Sequence, residues 1–375
     1  MNNYIKFLDS YKKKDINYFD IVNILNANEV EFSNVLKKDN YELWKENHEI
    51  KNINFNEIQQ VNIEANVNNI SDFIDIINTY AFEKNKKYNI DLKSLHYIKD
   101  ELIELNNMIG MKEIKESIIN QLIYFMQKLH INEDNSSDYK HTIIYGPPGT
   151  GKTEIAEIIG KIYSKIGVFK KNIFKKVTRS DLVAGYLGQT ALKTNDVITS
   201  CLGGCLFIDE AYSLASDDLD SYSKECIDTL CEGLSRHKND LMVIIAGYEN
   251  EINELILNTN KGLDSRFIWR FKIEEYGAKE LCEILVKKIK DIKWNIDENC
   301  INEKWFEDKK DYFKNYGRDI EKLLSNIKIC HSKRIFGKSE ECKRLINLDD
   351  INNGFNKFIG NSNKKPKSEI FGLYI

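Results

Sequence analysis

Gly146-Pro147-Pro148-Gly149-Thr150-Gly151-Lys152-Thr153 is the stretch that decides how this chain is read. It fits Gly-x4-Gly-Lys-[Ser/Thr] at every fixed position. The apolar run His141-Thr142-Ile143-Ile144-Tyr145 precedes it with the pattern of a strand, and a helical pattern follows over 154–165. The chemistry needs that order. Glycines let backbone N–H groups turn inward around phosphates, and the N-terminus of the next helix adds partial positive charge. Lys152 is placed to reach β- and γ-phosphates and the Thr153 hydroxyl to ligate Mg²⁺, so ATP and Mg²⁺ are the expected ligands.

An acidic partner lies at Leu206-Phe207-Ile208-Asp209-Glu210. Positions 205–208 suit a buried central strand, which delivers two carboxylates at its carboxyl end, where open α/β sheets bind ligands. The interval from Lys152 to Asp209 leaves room for a helix, a strand and a second helix. Asp209 is expected to hold the Mg²⁺ shell through water. Glu210 is expected to orient and deprotonate the attacking water.

Outward from these motifs, strands are expected at 174–177, 205–208, 241–246 and 271–273, with helices at 192–201 and 224–235. That alternation predicts a parallel sheet covered on both faces. Beyond Tyr276 the patterns are helical (278–290, 303–313, 318–336, 349–359), which predicts a small all-α domain. Upstream, Leu95, Ile98, Leu102 and Leu105 mark one helix. Met108-Ile109-Gly110-Met111 breaks it, the next helix runs to about His130, and 132–140 reads as a polar loop. Residues 71–87 suggest a helix with Phe73, Ile74, Ile77, Tyr80 and Ala81 on one side, while Val61, Ile63, Ala65 and Val67 alternate like a strand. The expected plan is an accessory region over 1–90, a large α/β domain over 91–275, a helical domain over 276–360 and a polar tail over 361–375.

Length and composition narrow the function. At 375 residues the chain has room for two or three domains. Its net charge of −4, from 54 basic against 58 acidic residues, argues against a general nucleic-acid coat or a polybasic membrane binder. No apolar run approaches the roughly 20 residues that span a bilayer, and Met1-Asn2-Asn3-Tyr4 lacks the basic start of a signal peptide. An intracellular, soluble, cytoplasmic protein is expected. The eight cysteines show no Cys-x-x-Cys spacing and read as small buried residues in a reducing compartment.

Several motifs taken together resemble a known family. The loop 146–153, Asp181-Leu182-Val183-Ala184-Gly185-Tyr186-Leu187-Gly188-Gln189-Thr190, Leu206-Phe207-Ile208-Asp209-Glu210-Ala211, Val243-Ile244-Ile245-Ala246-Gly247-Tyr248 and Gly262-Leu263-Asp264-Ser265-Arg266-Phe267 resemble an AAA+ ATPase. The likeness is greatest to the CbxX/CfqX-type branch, which includes rubisco-activase-like, sporulation stage V protein K-like and secretion ATPases, and it covers roughly residues 95–360. It implies a P-loop NTPase fold: a parallel sheet flanked by helices, the AAA+ core, followed by a small all-α lid domain. It also implies Mg-dependent hydrolysis of ATP to ADP and phosphate in a homo-oligomeric ring, usually a hexamer, with ATP between neighbours.

By that resemblance Arg266 matches the arginine finger that reaches the adjacent protomer's γ-phosphate, with Arg270 as a second candidate. Tyr186-Leu187-Gly188 matches the pore loop that grips an extended peptide. Arg318, within Asn315-Tyr316-Gly317-Arg318-Asp319-Ile320, matches the second sensor that contacts ATP phosphates. Ile109-Gly110 resembles the segment beside the adenine ring. Two departures stand out. Ala246-Gly247-Tyr248 occupies the place of a polar first sensor, leaving Tyr248 or Asn250 as candidates, and Lys261 replaces a frequent Pro before Gly262. The expected function is remodelling or threading of an unnamed protein client through the ring's pore, with residues 1–90 choosing the client. A nucleic-acid-associated motor or loader is the alternative, raised by Lys161, Lys165, Lys170, Lys171, Lys175, Lys176 and Arg179. A nucleotide-switched scaffold is a third, and the intact Glu210 and Arg266 argue against it.

Overall fold

A computed structural model of the chain describes residues 59–131, 138–186, 188–215, 221–297 and 300–362. The described residues fall into two units. The smaller is made of residues 59–64 and Tyr80–Leu92, where β1 (Gln59–Val61) pairs in parallel with β2 (Lys86–Tyr88). The Asn89 side chain extends this ladder: it accepts from the Ile63 N–H at 2.8 Å and donates to the Ile63 carbonyl at 3.1 Å. The alternation expected over 61–67 does not become a strand: β1 ends at Val61, and the Asn89 side chain, not a paired strand, takes both backbone groups of Ile63. The helix expected over 71–87 also differs. It ends at Thr79, and the Tyr88 hydroxyl folds back to the Ala81 carbonyl at 3.0 Å, which takes Tyr80 and Ala81 out of any helical face.

In the larger unit, α1 (Ile70–Thr79) buries Ile70, Phe73, Ile76 and Ile77, the three-and-four spacing of one helical side. The helix expected through 95–105 is broken at the buried Ile98, after which α2 (Lys99–Asn106) continues. Helix α3 (Lys112–Met126) stops short of His130 because Lys128 takes a left-handed conformation.

Then strands and helices alternate: β3 (Thr142–Tyr145), α4 (Lys152–Lys165), β4 (Phe174–Val177), α5 (Thr190–Ser200), β5 (Gly204–Ile208), α6 (Ser221–Arg236), β6 (Leu241–Gly247), α7 (Lys261–Arg266) and β7 (Trp269–Lys272). Among the described residues the five strands β3 to β7 form one parallel sheet, in the order β4-β5-β6-β3-β7. Sequence explains the order. The wholly buried strands β3, β5 and β6 are apolar and lie inside, while Phe-Lys-Lys-Val and Trp-Arg-Phe-Lys carry charge and lie at the edges. On one face Ile143, Leu206, Ile208, Val243 and Ile245 pack with Ile198, Ile227, Leu230 and Leu234 of α5 and α6. Each such burial contributes about 1.5–3 kcal/mol. On α4, Ile155, Ile158, Ile159 and Ile162 are buried. The register Tyr145↔Gly247 and Ile208↔Ile245 ends β3, β5 and β6 at one edge, so the segments that follow them emerge side by side.

The lid follows as α8 (Ala278–Asp291), α9 (Tyr316–Ile335) and α10 (Leu348–Ser362), with a short helix at Glu303–Glu307. It departs from a purely helical reading by a two-residue parallel pair, Asn295–Ile296 with Leu345–Ile346. A buried polar network joins α9 to α10. His331 faces an Asp350 oxygen through Nδ1 at 3.0 Å and the Lys343 carbonyl through Nε2 at 2.9 Å. Arg334 donates to Asp350 from Nε at 2.9 Å and Nη2 at 2.8 Å. Burial alone would raise the Asp350 pKa, but the bonds from Arg334, His331 and the Asn347 N–H outweigh it and hold the carboxyl below its ordinary value.

Asp350→Ala leaves the buried His331 and the half-buried Arg334 without their carboxylate acceptor and should lower stability by about 1–3 kcal/mol. Because the folded pKa is depressed, this contribution is present above the ordinary carboxylate pKa and is lost as pH falls through the folded value. Urea unfolding should therefore show a wide gap between wild type and variant at neutral pH that narrows in acid. A gap independent of pH would contradict the assignment.

Candidate nucleotide site

The edge where β3, β5 and β6 end carries the site. The Gly146 N–H donates to the Gly247 carbonyl at 3.1 Å, which ties the glycine-rich loop to β6. Thr150 Oγ1 donates to the Pro147 carbonyl at 2.8 Å and closes the turn. Lys152 opens α4, and its Nζ donates to the carbonyls of Gly146 at 2.8 Å and Pro147 at 2.7 Å. Burial lowers the Lys152 pKa, Asp209 pulls it up, and Arg318 lowers it further. Thr153 Oγ1 donates to Asp209 Oδ2 at 3.1 Å, so the loop and the acidic pair meet directly. A hydroxyl and a carboxylate are hard oxygen donors, the set that suits Mg²⁺ beside nucleotide phosphates. Glu210 is exposed, and its N–H donates to Asp209 Oδ1 at 3.1 Å. Its φ of 49° lies in the left-handed region, which costs a side-chain-bearing residue about 1–3 kcal/mol.

The lid supplies the opposite wall. The Gly317 N–H, in the first turn of α9, donates to the Gly149 carbonyl at 3.0 Å. Two glycines are required here: a Cβ on Gly149 would lie 2.1 Å from the Asn315 carbonyl oxygen, and one on Gly317 2.7 Å from the Gly149 oxygen. The Tyr276 hydroxyl donates to the Thr150 carbonyl at 3.0 Å, and its ring meets Tyr316 edge-on at 5.8 Å. Between loop, acidic pair and lid lies a cleft of about 340 Å³, within the usual range for small-molecule sites. Pro148, Gly149, Thr150, Gly151, Lys152 and Thr153 line it, as do Asp209 and Glu210. Exposed Arg318 lines it from the lid, and Met108, Ile109 and Met111 form an apolar wall, where the 109–110 segment was expected.

Other expected residues sit elsewhere. Arg266 does not line the cleft; its Nε donates to Ser235 Oγ at 2.5 Å, its Nη1 to the Gly262 carbonyl at 2.5 Å, and it lies 6.0 Å from the Tyr139 ring. Arg270 pairs with Asp264 at 2.6 Å. Tyr186 is 74% exposed, and a Cβ on Gly185 or Gly188 would meet nothing within 4 Å. Leu187 lies outside the described residues, as do residues 1–58, 132–137 and the end of the tail from 363. Of the two first-sensor candidates, Tyr248 lines the cleft, its ring 5.8 Å from Lys152 Nζ, and Asn250 does not. The Lys-rich stretch is largely paired: Lys161 with Glu157, Lys165 with Glu101, Lys170 with Asp240, Lys175 with Ser200 and Lys176 with Asp209. Sequence reasoning missed Tyr212, Tyr276, Lys287, Asp291 and Glu321, which also line the cleft. None stands at a motif spacing, and tertiary docking alone brings them in.

A five-stranded parallel sheet with a glycine-rich loop between β3 and α4, and an acidic pair after β5, defines a P-loop NTPase. The family model for AAA, the ATPase family associated with various cellular activities, matches residues 142–270. A cfxQ-like protein, R730, of Acanthamoeba polyphaga mimivirus is 39% identical over 310 residues, covering 81% of this chain and 75% of that protein. Stage V sporulation protein K of Bacillus subtilis (strain 168) is 36% identical over 200 residues, covering 52% of this chain and 62% of that one. The ESX-3 secretion system protein EccA3 of Mycolicibacterium smegmatis is 36% identical over 199 residues, 52% of this chain and 33% of the relative. The chain thus spans under two thirds of the last two proteins. It belongs to the CbxX/CfqX-type AAA+ ATPases. Among the described residues no helix is long and apolar enough to cross a membrane.

Lys152→Ala removes the ammonium that the loop aims into the cleft. If Lys152 makes the expected charge-assisted bonds to two phosphates, ATP affinity should fall by about 100-fold. Titration with a fluorescent ATP analogue reads this, and retained affinity would sink the assignment of the loop.

Proposed function

We propose that this ATPase hydrolyses ATP with Mg²⁺ and uses the cycle to remodel or thread a protein client through the pore of a cytoplasmic homo-oligomeric ring, a hexamer. The observation that carries this reading is a physical link between the cleft and Tyr186. Arg179 Nη1 donates to the carbonyls of Ser213 at 2.8 Å and Leu214 at 3.1 Å, and to Ser223 Oγ at 2.7 Å. Ser213 and Leu214 lie in the 3₁₀ turn Ala211–Ala215, directly after Asp209 and Glu210. Arg179 begins the short helix Arg179–Leu182, and the exposed Tyr186 follows it. A shift at Glu210 thus has a hydrogen-bonded route to the Tyr186 loop.

In this reading Lys152 and Arg318 bind the phosphates, Thr153 and, through water, Asp209 hold Mg²⁺, and Glu210 deprotonates the attacking water. Bound Mg²⁺ neutralises charge on the phosphates. Arg266 completes a neighbour's site, so hydrolysis depends on assembly. Tyr186, Leu187 and Gly188 form the gripping loop, whose aromatic ring packs on any side chain. Residues 91–275 act as the large domain and 276–360 as the lid, while residues 1–90 select the client.

Glu210→Gln should slow turnover by about 100-fold or more while ATP stays bound and rings accumulate, measured by phosphate release and mass photometry. Unchanged turnover would remove Glu210 as the base. Tyr186→Ala should keep basal hydrolysis and lose its stimulation by an unfolded protein. Stimulation by DNA or RNA that weakens steeply with salt would instead favour a nucleic-acid motor.

A further inference from the structure

Lys176 is the one member of the basic stretch whose ammonium enters the nucleotide site. It lies in the edge strand β4, paired in register with Phe207, and its Nζ sits 5.7 Å from the Phe207 ring centre. The ammonium donates to Asp209 Oδ2 at 2.6 Å and to Thr153 Oγ1 at 3.4 Å. These are the two side-chain oxygens that also bond to each other. The other Asp209 oxygen takes the Glu210 N–H. Neighbouring Lys175 turns away to Ser200, so the contact is particular to position 176.

We propose that Lys176 is a competitor built into the metal site: its ammonium occupies the Thr153–Asp209 oxygen pair and must leave when Mg²⁺ binds with nucleotide. This rests on the reading of the cleft as a Mg–ATP site. A single positive charge satisfies Asp209 when the divalent ion does not, which avoids leaving a half-buried carboxylate beside an apolar strand uncompensated. When the metal arrives, two cations on one carboxylate repel, and the flexible lysine is the one free to move. It has somewhere to go. Its side chain is 44% exposed, and a second cavity of about 700 Å³ opens beside it, lined also by Thr178, Arg179, Asp209, Glu210 and Ser213. Lys176 therefore sets the Mg²⁺ concentration at which nucleotide is held in its metal-bound form.

The test is the binding of a fluorescent non-hydrolysable ATP analogue to the full chain, titrated with MgCl₂, with affinity in EDTA as reference. Lys176→Met keeps the stem against Phe207 and removes the charge. The Mg²⁺ midpoint should fall about three- to fivefold, as expected for a half-exposed ion pair, with affinity in EDTA unchanged. Lys176→Arg keeps the charge and should hold the wild-type midpoint. Lys176→Gln provides the same reading as Met if the apolar variant misfolds. Raising the salt should shrink the difference. An unaltered midpoint in the Met and Gln variants overturns the proposal. So does a weaker affinity in EDTA with a raised midpoint, which would make Lys176 a phosphate ligand. A wild-type chain whose nucleotide binding ignores Mg²⁺ would overturn the reading of the site itself, and the proposal with it.

Discussion

Where the Gly317 N–H meets the Gly149 carbonyl, two residues without side chains let the longest lid helix start against the phosphate loop. The other lid contacts with the loop build on this approach. Tyr276 reaches the Thr150 carbonyl, its ring braces Tyr316, and Arg318 is carried to the rim of the cleft. The N-terminus of α9 adds its partial positive charge to that of α4, so two helices aim their favourable ends at an anionic ligand. A loop that reshapes around phosphates must shift the Gly149 carbonyl, and the lid helix is bonded to that atom. This bond ties the start of the lid helix to the shape of the loop.

Strain gathers at the same place. Among the described residues five non-glycine positions have positive φ, and Met111, Glu210 and Tyr316 of these line or adjoin the cleft. Each costs about 1–3 kcal/mol, which local preference would not tolerate. The surroundings hold them. Glu210 is caught between the wholly buried β5 and the 3₁₀ turn that Arg179 clamps, and Tyr316 between the Gly149 contact and the Tyr276 ring. The carboxylate that the proposed chemistry uses is thus set by the sheet and not by its own loop.

The sheet and the two motifs were legible because they are local. A strand, a glycine-rich turn and a helix follow one another within 141–165, and four apolar residues before Asp209 mark a strand without reference to anything distant. Asp209 and Thr153 could be matched because each motif carries its own spacing. The edge position of β4 was not read from the sequence, although its two lysines suit it. What stayed hidden depends on docking. Nothing near Tyr276 in the chain says that its hydroxyl will find Thr150, and Lys176 read as part of a charge run until the register with β5 brought it beside Asp209. The helix expected to run on to 87 misled for a related reason. Its apolar residues continue past Thr79, but Tyr88 folds back on Ala81 and turns them to a different use.

The charge of each acceptor then sorts the cations in and beyond the cleft. Lys152 rests on two neutral carbonyls and Arg266 on a hydroxyl and a carbonyl, bonds that a phosphate oxygen outcompetes because it brings full negative charge. Lys176 and Arg270 rest on carboxylates, which already supply that charge. Transfer to a phosphate gains less for them. By this criterion Lys152 fits the proposed role of a phosphate ligand, and Lys176 that of the proposed competitor for the metal's oxygens. In the proposed ring, Arg266, held outside its own cleft by a hydroxyl and a carbonyl, would be given to a neighbour more readily than the Asp264-bound Arg270.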